Sequence, residues 1–420
     1  EFARRAHKVG KPVVAYKLGR SNVGQELARS HTGAIAGSDD AIAAFLKQNG
    51  IARVDTFNGL IESPRLFAGR APGSGKRVAV VSTTGGGGAM VVDNLGMRGV
   101  DVVEVPAEVS DALAAHNIAA AGARMIDLTM AGAKPEIVAD VISRLMASDE
   151  TDAVIMVVGS SAQFHPELAV DPLMRWRDAA KPFAVYLAPA AEDSLSRLAN
   201  AGIAVFRTPE GCADAMHAVL SWTGPDDIPD LSKLEALDHA ALLPGQGLNE
   251  SAALALFSDL GISTARSALA SSVTEAVGLA QDMPGPVALK IASADIQHKS
   301  DMGGVRLGLE NDAQVKDAWS EIMANATQHA PDAAIDGVLV QEMATGLGQV
   351  LLGFKRDPLV GPIVVLGVGG LLTEIYDDTA LRMAPVNLDA ARSMIEEVRG
   401  LAPLRGYRGS TPGDLDTLAQ

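Results

Sequence analysis

The stretch RVAVVSTTGGGGAMVVDNLG (77–96) decides the fold. Its opening, RVAVVST, is a short, mostly β-branched apolar run, the pattern of a strand buried on both faces. Four consecutive glycines, Gly85, Gly86, Gly87 and Gly88, then lead into a helical pattern. Strand and helix patterns keep alternating through 76–222. The further candidate strands are VDVVEVP (100–106), DAVIMVVGS (152–160), KPFAVYLAP (181–189) and IAVFRTP (203–209). Such alternation predicts an α/β, doubly wound parallel sheet.

On the amino-terminal side, residues 1–70 read as a partial α/β unit. EFARRAHKVG is a helix ending at Gly10, KPVVAYKLG (11–19) a buried strand, and SDDAIAAFLKQNG (38–50) a helix capped by Ser38 or Asp39. IARVDTFNGLIESPRLFAG (51–69) adds a short strand and one more helix. RAPGSGK (70–76) and TGPDDIPDLSK (223–233) read as linkers. From 245 to 420 the pattern is α+β: a helix at NESAALALFSDLG (249–261), then strands PVALKIAS (286–293), GVLVQEMA (337–344), QVLLGFKR (349–356) and GPIVVLGVGG (361–370).

The composition excludes several classes. A net charge of -16 over 420 residues disfavours nucleic acid and anionic membranes as partners. Any phosphate-rich ligand therefore needs a local electropositive pocket. The single cysteine, Cys212, forms no intrachain disulfide or cysteine metal cluster and suits a reducing cytoplasm. No run reaches the ~20 apolar residues of a membrane span, and no signal peptide is visible. The chain opens inside a helical pattern without Met, which suggests a piece of something longer.

Three segments carry candidate chemistry. A histidine in RSHTGAIAGSD (29–39), His31, sits at a loop-to-helix junction, where an imidazole can accept phosphate or simply be solvated. The glycines 85–88 let backbone N–H groups converge on an anion at a helix N-terminus, or merely make a tight turn. In PVALKIASADIQHKSDMGGVRLGL (286–309), Lys290 ends an apolar strand and needs an anionic partner. His298, a second lysine, Gly303 and Gly304 share the next loop. A nucleoside triphosphate accounts for these cations and glycines together. A snorkelling strand-edge lysine and a surface histidine are the ordinary alternatives. Gln341, Glu342 and Met343 read as a hinge strand with an open backbone edge for adenine, Glu342 meeting a ribose hydroxyl. Glu374 in GVGGLLTEIYDD (367–378) offers a hard oxygen for Mg²⁺. His165 in SSAQFHPELA follows a strand end, where open α/β sheets place ligands.

Read together and in this order, these segments resemble the nucleoside-diphosphate-forming acyl-CoA synthetases. That family includes ADP-forming acetate–CoA ligases and is related to succinyl-CoA synthetase. The resemblance implies flavodoxin-type, succinyl-CoA ligase-like domains over 1–70 and 76–222 and an ATP-grasp domain over 245–420. It implies that His31 is a phosphohistidine, cradled by Gly85–Gly88, and that His298 relays phosphate to it from ATP. It implies Lys290 on the nucleotide phosphates, Gln341–Met343 against adenine, and Mg²⁺ at Glu374. The implied product is an acyl-CoA thioester, made from a carboxylic acid, CoA and ATP with release of ADP and phosphate. SSAQFHPELAVDP and GLGQVLLG look most like feruloyl-CoA synthetases, so a hydroxycinnamate or acetate is the expected acid. A cytoplasmic homodimer or larger homo-oligomer is implied.

The family's CoA-binding domain is expected upstream of Glu1, and the last ATP-grasp strand beyond Gln420. Gln349 stands where the family has an acidic residue, and RMIDLTMAG (124–132) replaces an Asn-Pro-Val-Asp start. The competing readings are a ligand-sensing module of a protein acetyltransferase, or a nucleotide-binding subunit that needs a partner for CoA.

Overall fold

Apolar, β-branched runs separated by amphipathic helices form the centre of the larger of two compact units, Glu1–Pro229 with Gln349–Gln420. The computed structural model describes residues 1–21, 23–24, 38–73, 75–129, 133–227, 248–296, 298–370, 373–376 and 378–420. Two strands, β1 (Val13–Tyr16) and β2 (Ile51–Val54), pair in parallel. The main parallel sheet holds β3 (Arg77–Ser82), β4 (Asp101–Val102), β5 (Ile126–Asp127), β6 (Ala153–Val158), β7 (Phe183–Leu187) and β8 (Ala204–Phe206). Their spatial order is β4-β3-β6-β7-β8, with β5 also on β3. Leaving β5 aside, this is the 2-1-3-4-5 order of flavodoxin-like sheets. The chain reverses direction across the sheet between β3 and β6, so ligands are expected at the carboxyl ends of those strands.

VDVVEVP shortens to the two residues of β4. Pro106 has no N–H to continue a ladder, and the carboxyl half of β3 pairs instead with β5, a strand the sequence pattern did not suggest. The single helix expected within 51–69 is two, Phe57–Glu62 and Pro64–Phe67, because Pro64 starts a new helix and cannot extend the old one. Residues 70–76 are pinned at both ends. The Arg70 guanidinium donates to the carbonyls of Leu66, Ala179, Ala180 and Lys181. The Asp152 carboxylate accepts the N–H groups of Lys76 and Arg77. Ala52, Val54, Leu66 and Phe67 then share one core with Val78, Ile155 and Phe206.

A second sheet in this unit is antiparallel: β13 (Val350–Asp357), β14 (Gly361–Val368) and β15 (Thr379–Met383). Ile363 and Met383 bury against Ala41 and Phe45 of the helix Asp39–Gln48. This contact places 349–420 in the unit of the amino-terminal segment, so the stretch 245–420 divides at Gly348.

The smaller unit, Asp230–Gly348, is an antiparallel sheet of β9 (Ser267–Ala270), β10 (Val287–Ala292), β11 (Val305–Leu309) and β12 (Gly337–Glu342), in the order β11-β10-β12-β9. Val287, Leu289 and Ile291 point to one face, packing with Val315, Ala318 and Ile322 of the helix Asp312–His329. Period-two alternation sends Ala288 and Lys290 to the other face. No helix among the described residues is long and apolar enough to cross a membrane.

Candidate functional site

The glycines lie inside the helix Gly85–Met97, as its first turn, at the carboxyl end of β3. Thr84 caps the helix without a side-chain bond, and Gly88 N–H makes a helical bond to Thr84 O at 3.0 Å. The N–H groups of Gly85, Gly86 and Gly87 have no acceptor among the described residues. Three unspent donors at the positive end of a helix dipole suit an anion. The glycines serve two purposes. A Cβ on Gly87 would stand 2.9 Å from Ala188 Cβ, and one on Gly88 would stand 2.9 Å from Ser82 Cβ and fall on the Met125 sulfur. These two let the helix lie against the sheet. A Cβ on Gly86 would meet nothing within 4 Å, so this position is open. Asp127, at the end of β5, stands over the helix start, its Oδ2 3.3 Å from where a Gly85 Cβ would be. Nothing in the sequence pattern singled it out.

In the smaller unit, Lys290 meets the anionic partner its position demands, and that partner is Glu250. Lys290 Nζ donates to Glu250 Oε1 at 2.6 Å, and Lys299 Nζ donates to Glu250 Oε2 at 2.7 Å. Burial pushes the Glu250 carboxyl up, but the hydrogen bonds and charges of the two lysines outweigh it and hold it below its ordinary value. These three residues line an open cleft of about 390 Å³ with His298, Ser300, Asp301 and Val305. His298 is exposed and lines the same cleft. Glu250 escapes sequence reasoning because an acidic residue in a first helical turn is commonplace and lies 40 residues from Lys290.

Gly303 and Gly304 are spent on the turn itself. Gly303 has φ +69°, and a Cβ there would stand 2.6 Å from Asn325 Nδ2. Gly304 packs over Ile291, and its N–H donates to Lys299 O at 2.7 Å. The open backbone edge expected at Gln341–Met343 is absent, because β12 lies between β10 and β9. Gln341 is buried in that sheet, Glu342 N–H donates to Arg266 O, and Met343 N–H to Pro286 O. Glu342 Oε1 accepts from Arg266 N at 2.9 Å.

His31 and its segment, 25–37, lie outside the described residues. Residues on both sides of it converge. Lys17 and Arg20 pair with Asp39, at 3.6 and 3.5 Å, and Arg53 joins at 2.8 Å. Burial pushes the Asp39 carboxyl up, and Arg53, Arg20 and Lys17 more than reverse this, holding it below its ordinary value. Glu374 falls in the short helix Thr373–Tyr376, and its side chain lies outside the described residues. Both Asp378 oxygens accept backbone N–H groups, from Arg399 and Gly400, and among the described residues no group of three or more His, Cys, Asp or Glu side chains is placed to hold a metal ion. His165 is exposed, with Glu167 at 3.8 Å.

Residues 243–420 match the ATP-grasp domain family, and residues 1–67 match the succinyl-CoA ligase like flavodoxin domain. ADP-forming acetate–CoA ligase I of Archaeoglobus fulgidus is 30% identical over 100% of this chain and 62% of its own length. A trans-feruloyl-CoA synthase of an unknown prokaryotic organism is 28% identical over 100% of this chain and 60% of its own. The beta subunit of ADP-forming acetate–CoA ligase I of Pyrococcus furiosus is 38% identical over 38% of this chain and 68% of its own. The chain spans about three fifths of the length of the first two. The two domain matches, in the order the motifs suggested, and the likeness to the beta subunit make this chain a member of the ADP-forming acyl-CoA synthetase family.

Proposed function

We propose that this chain carries the phosphoryl-transfer machinery of an acid–thiol ligase that joins a carboxylic acid to CoA while ATP becomes ADP and phosphate. The observation that supports it most is the Lys290–Lys299–His298 cleft, within the stretch that matches the ATP-grasp family. Transfer of a phosphoryl group asks chiefly for positioning and positive charge, and two ammonium groups lining one cleft with an exposed imidazole are suited to both. An imidazole nitrogen of His298 takes the γ-phosphoryl group, breaking the bond to ADP. The group then passes to a ring nitrogen of His31 and from there to a carboxylate oxygen, giving an acyl phosphate. The CoA sulfur attacks the acyl carbon, its proton goes to solvent, and phosphate leaves. Imidazole suits the carrier role because it is neutral and nucleophilic near neutral pH.

In this reading Gly85–Gly88 receive the His31 phosphate with unspent N–H groups. Gln341, Glu342 and Met343 would border the nucleoside without offering it backbone N–H groups, since those of Glu342 and Met343 are engaged in the sheet. Gly303 and Gly304 shape the His298 turn. Mg²⁺ would arrive with the nucleotide and neutralise phosphate charge, with Glu374 as its proposed carboxylate. The acid is a hydroxycinnamate such as ferulate, or a short acid such as acetate. The working protein is a cytoplasmic homodimer or larger homo-oligomer.

Incubation with γ-labelled ATP and Mg²⁺ tests this. Acid-labile, base-stable phosphate on the protein is expected, lost in His298→Ala and confined to His298 in His31→Ala. A wild type that takes up no label overturns the ligase reading. Label that survives in both single variants at full level overturns the two-histidine route.

A further inference from the structure

Glu250 is bound to both lysines of the cleft. Each carboxylate oxygen takes one ammonium, Oε1 from Lys290 and Oε2 from Lys299. The carboxylate stands on a fixed post. Glu250 is the first residue of the helix Glu250–Asp259, whose cap Asn249 accepts from Ala252 N–H and donates to Asp336 Oδ2 at 2.8 Å. Asp336 N–H in turn donates to Ala292 O, at the end of the strand that carries Lys290. Lys290 is held by its strand, and Lys299 belongs to the turn that carries His298, its carbonyl accepting Gly304 N–H. The charge count matters as well. Lys290 and Lys299 are balanced by Glu250 and Asp301, so these four formal charges around the cleft sum to zero. A polyanion is drawn to positive charge, and here both ammonium groups are engaged by the Glu250 carboxylate, which a phosphate has to displace from them.

We propose that Glu250 is a positioning residue that stands in for nucleotide phosphate. Its carboxylate ties the His298 turn to Lys290 while the cleft is free of nucleotide, and phosphate oxygens take over both ammonium groups when nucleotide binds. The tether itself stands on the geometry, and only the identity of the displacing anion rests on the ligase reading.

Hydrogen exchange and calorimetry on the full 420-residue chain separate the two parts. Without nucleotide, Glu250→Gln raises exchange of the amides at 298–304 about tenfold, with Gly304 the most direct reporter. Adding Lys299→Met to it raises exchange no further, because both changes cut the same tie. Saturating ADP brings wild type and Glu250→Gln to equal protection. Glu250→Gln binds ADP about three- to tenfold more tightly, since no carboxylate competes. Glu250→Asp, too short to reach both lysines, gives intermediate exchange and serves if the glutamine variant does not fold. Unchanged exchange in the nucleotide-free variants overturns the tether. ADP affinity in Glu250→Gln equal to or weaker than wild type overturns the replacement. A wild type that binds no ADP overturns the replacement and the nucleotide reading together, while the exchange result still judges the tether.

Discussion

The two candidate anion sites are built from different materials. At the end of β3 the donors are backbone N–H groups of a helix start, with no cationic side chain among the residues that form it. In the smaller unit the donors are ammonium groups, and the backbone N–H groups of the nearby glycines are consumed by the turn. A backbone site is preorganised and holds no cation to be paired before a ligand arrives, although here the Asp127 carboxylate stands over it. A side-chain site must hold its cations apart or pair them, and this one pairs them through Glu250. Glycine therefore means opposite things in the two places: an open donor at Gly86, a closed turn at Gly303 and Gly304.

The largest test of this contrast is Lys290→Met. If side-chain charge holds the nucleotide, protein labelling from γ-labelled ATP slows about 100-fold, while the urea midpoint barely moves. Labelling within a factor of two of wild type would put the phosphates on backbone donors there too. Next is Gly88→Ala, which forces a methyl onto Ser82 Cβ and the Met125 sulfur and costs about 2–3 kcal/mol in urea unfolding. A smaller effect follows from Glu250. Its folded value is depressed, so the tether is complete above the ordinary glutamate value of 4.5 and is lost as pH falls through the lower folded value. Protection of the 298–304 amides is then flat from neutral pH to about that value and drops below it, whereas Glu250→Gln shows no such step. The smallest change is Gly86→Ala, in open space two residues from Gly88. It leaves stability unchanged or raises it by up to about 1 kcal/mol, because alanine favours the helix. A large loss at Gly86 would erase the distinction between the two kinds of glycine.

Most of the parallel sheet was legible in the sequence because strands buried on both faces leave long apolar runs, as in VAVVS and AVIMVV. β4 was legible within VDVVEVP, though not its shortness, and the two-residue β5 was not legible at all, since it pairs with only part of β3 and needs no run of its own. Lys290 was legible as a charge in an apolar run, although it lies inside β10 and not at its end. Glu250 was not, because what makes it special is a contact across 40 residues. The hinge strand misled for a related reason: VLVQEM shows that a strand exists, but not that β9 and β10 cover both of its edges. The glycine run announced a helix start, yet only its neighbours Ala188, Ser82 and Met125 separate the packing glycines from the open ones.

The seam between the helix Asp39–Gln48 and the sheet β13–β15 bears on how such a chain can be divided between genes. A break in the 223–247 region would sever the covalent link but leave Ala41 and Phe45 matched to Ile363 and Met383. The two products would each carry half of an apolar joint and would remain together as subunits of one assembly. A break after Gly348 divides the same joint, but it also parts the sheet β13–β15 from the smaller unit, Asp230–Gly348. Fission at the first place turns an internal core into a quaternary contact at no cost in side chains.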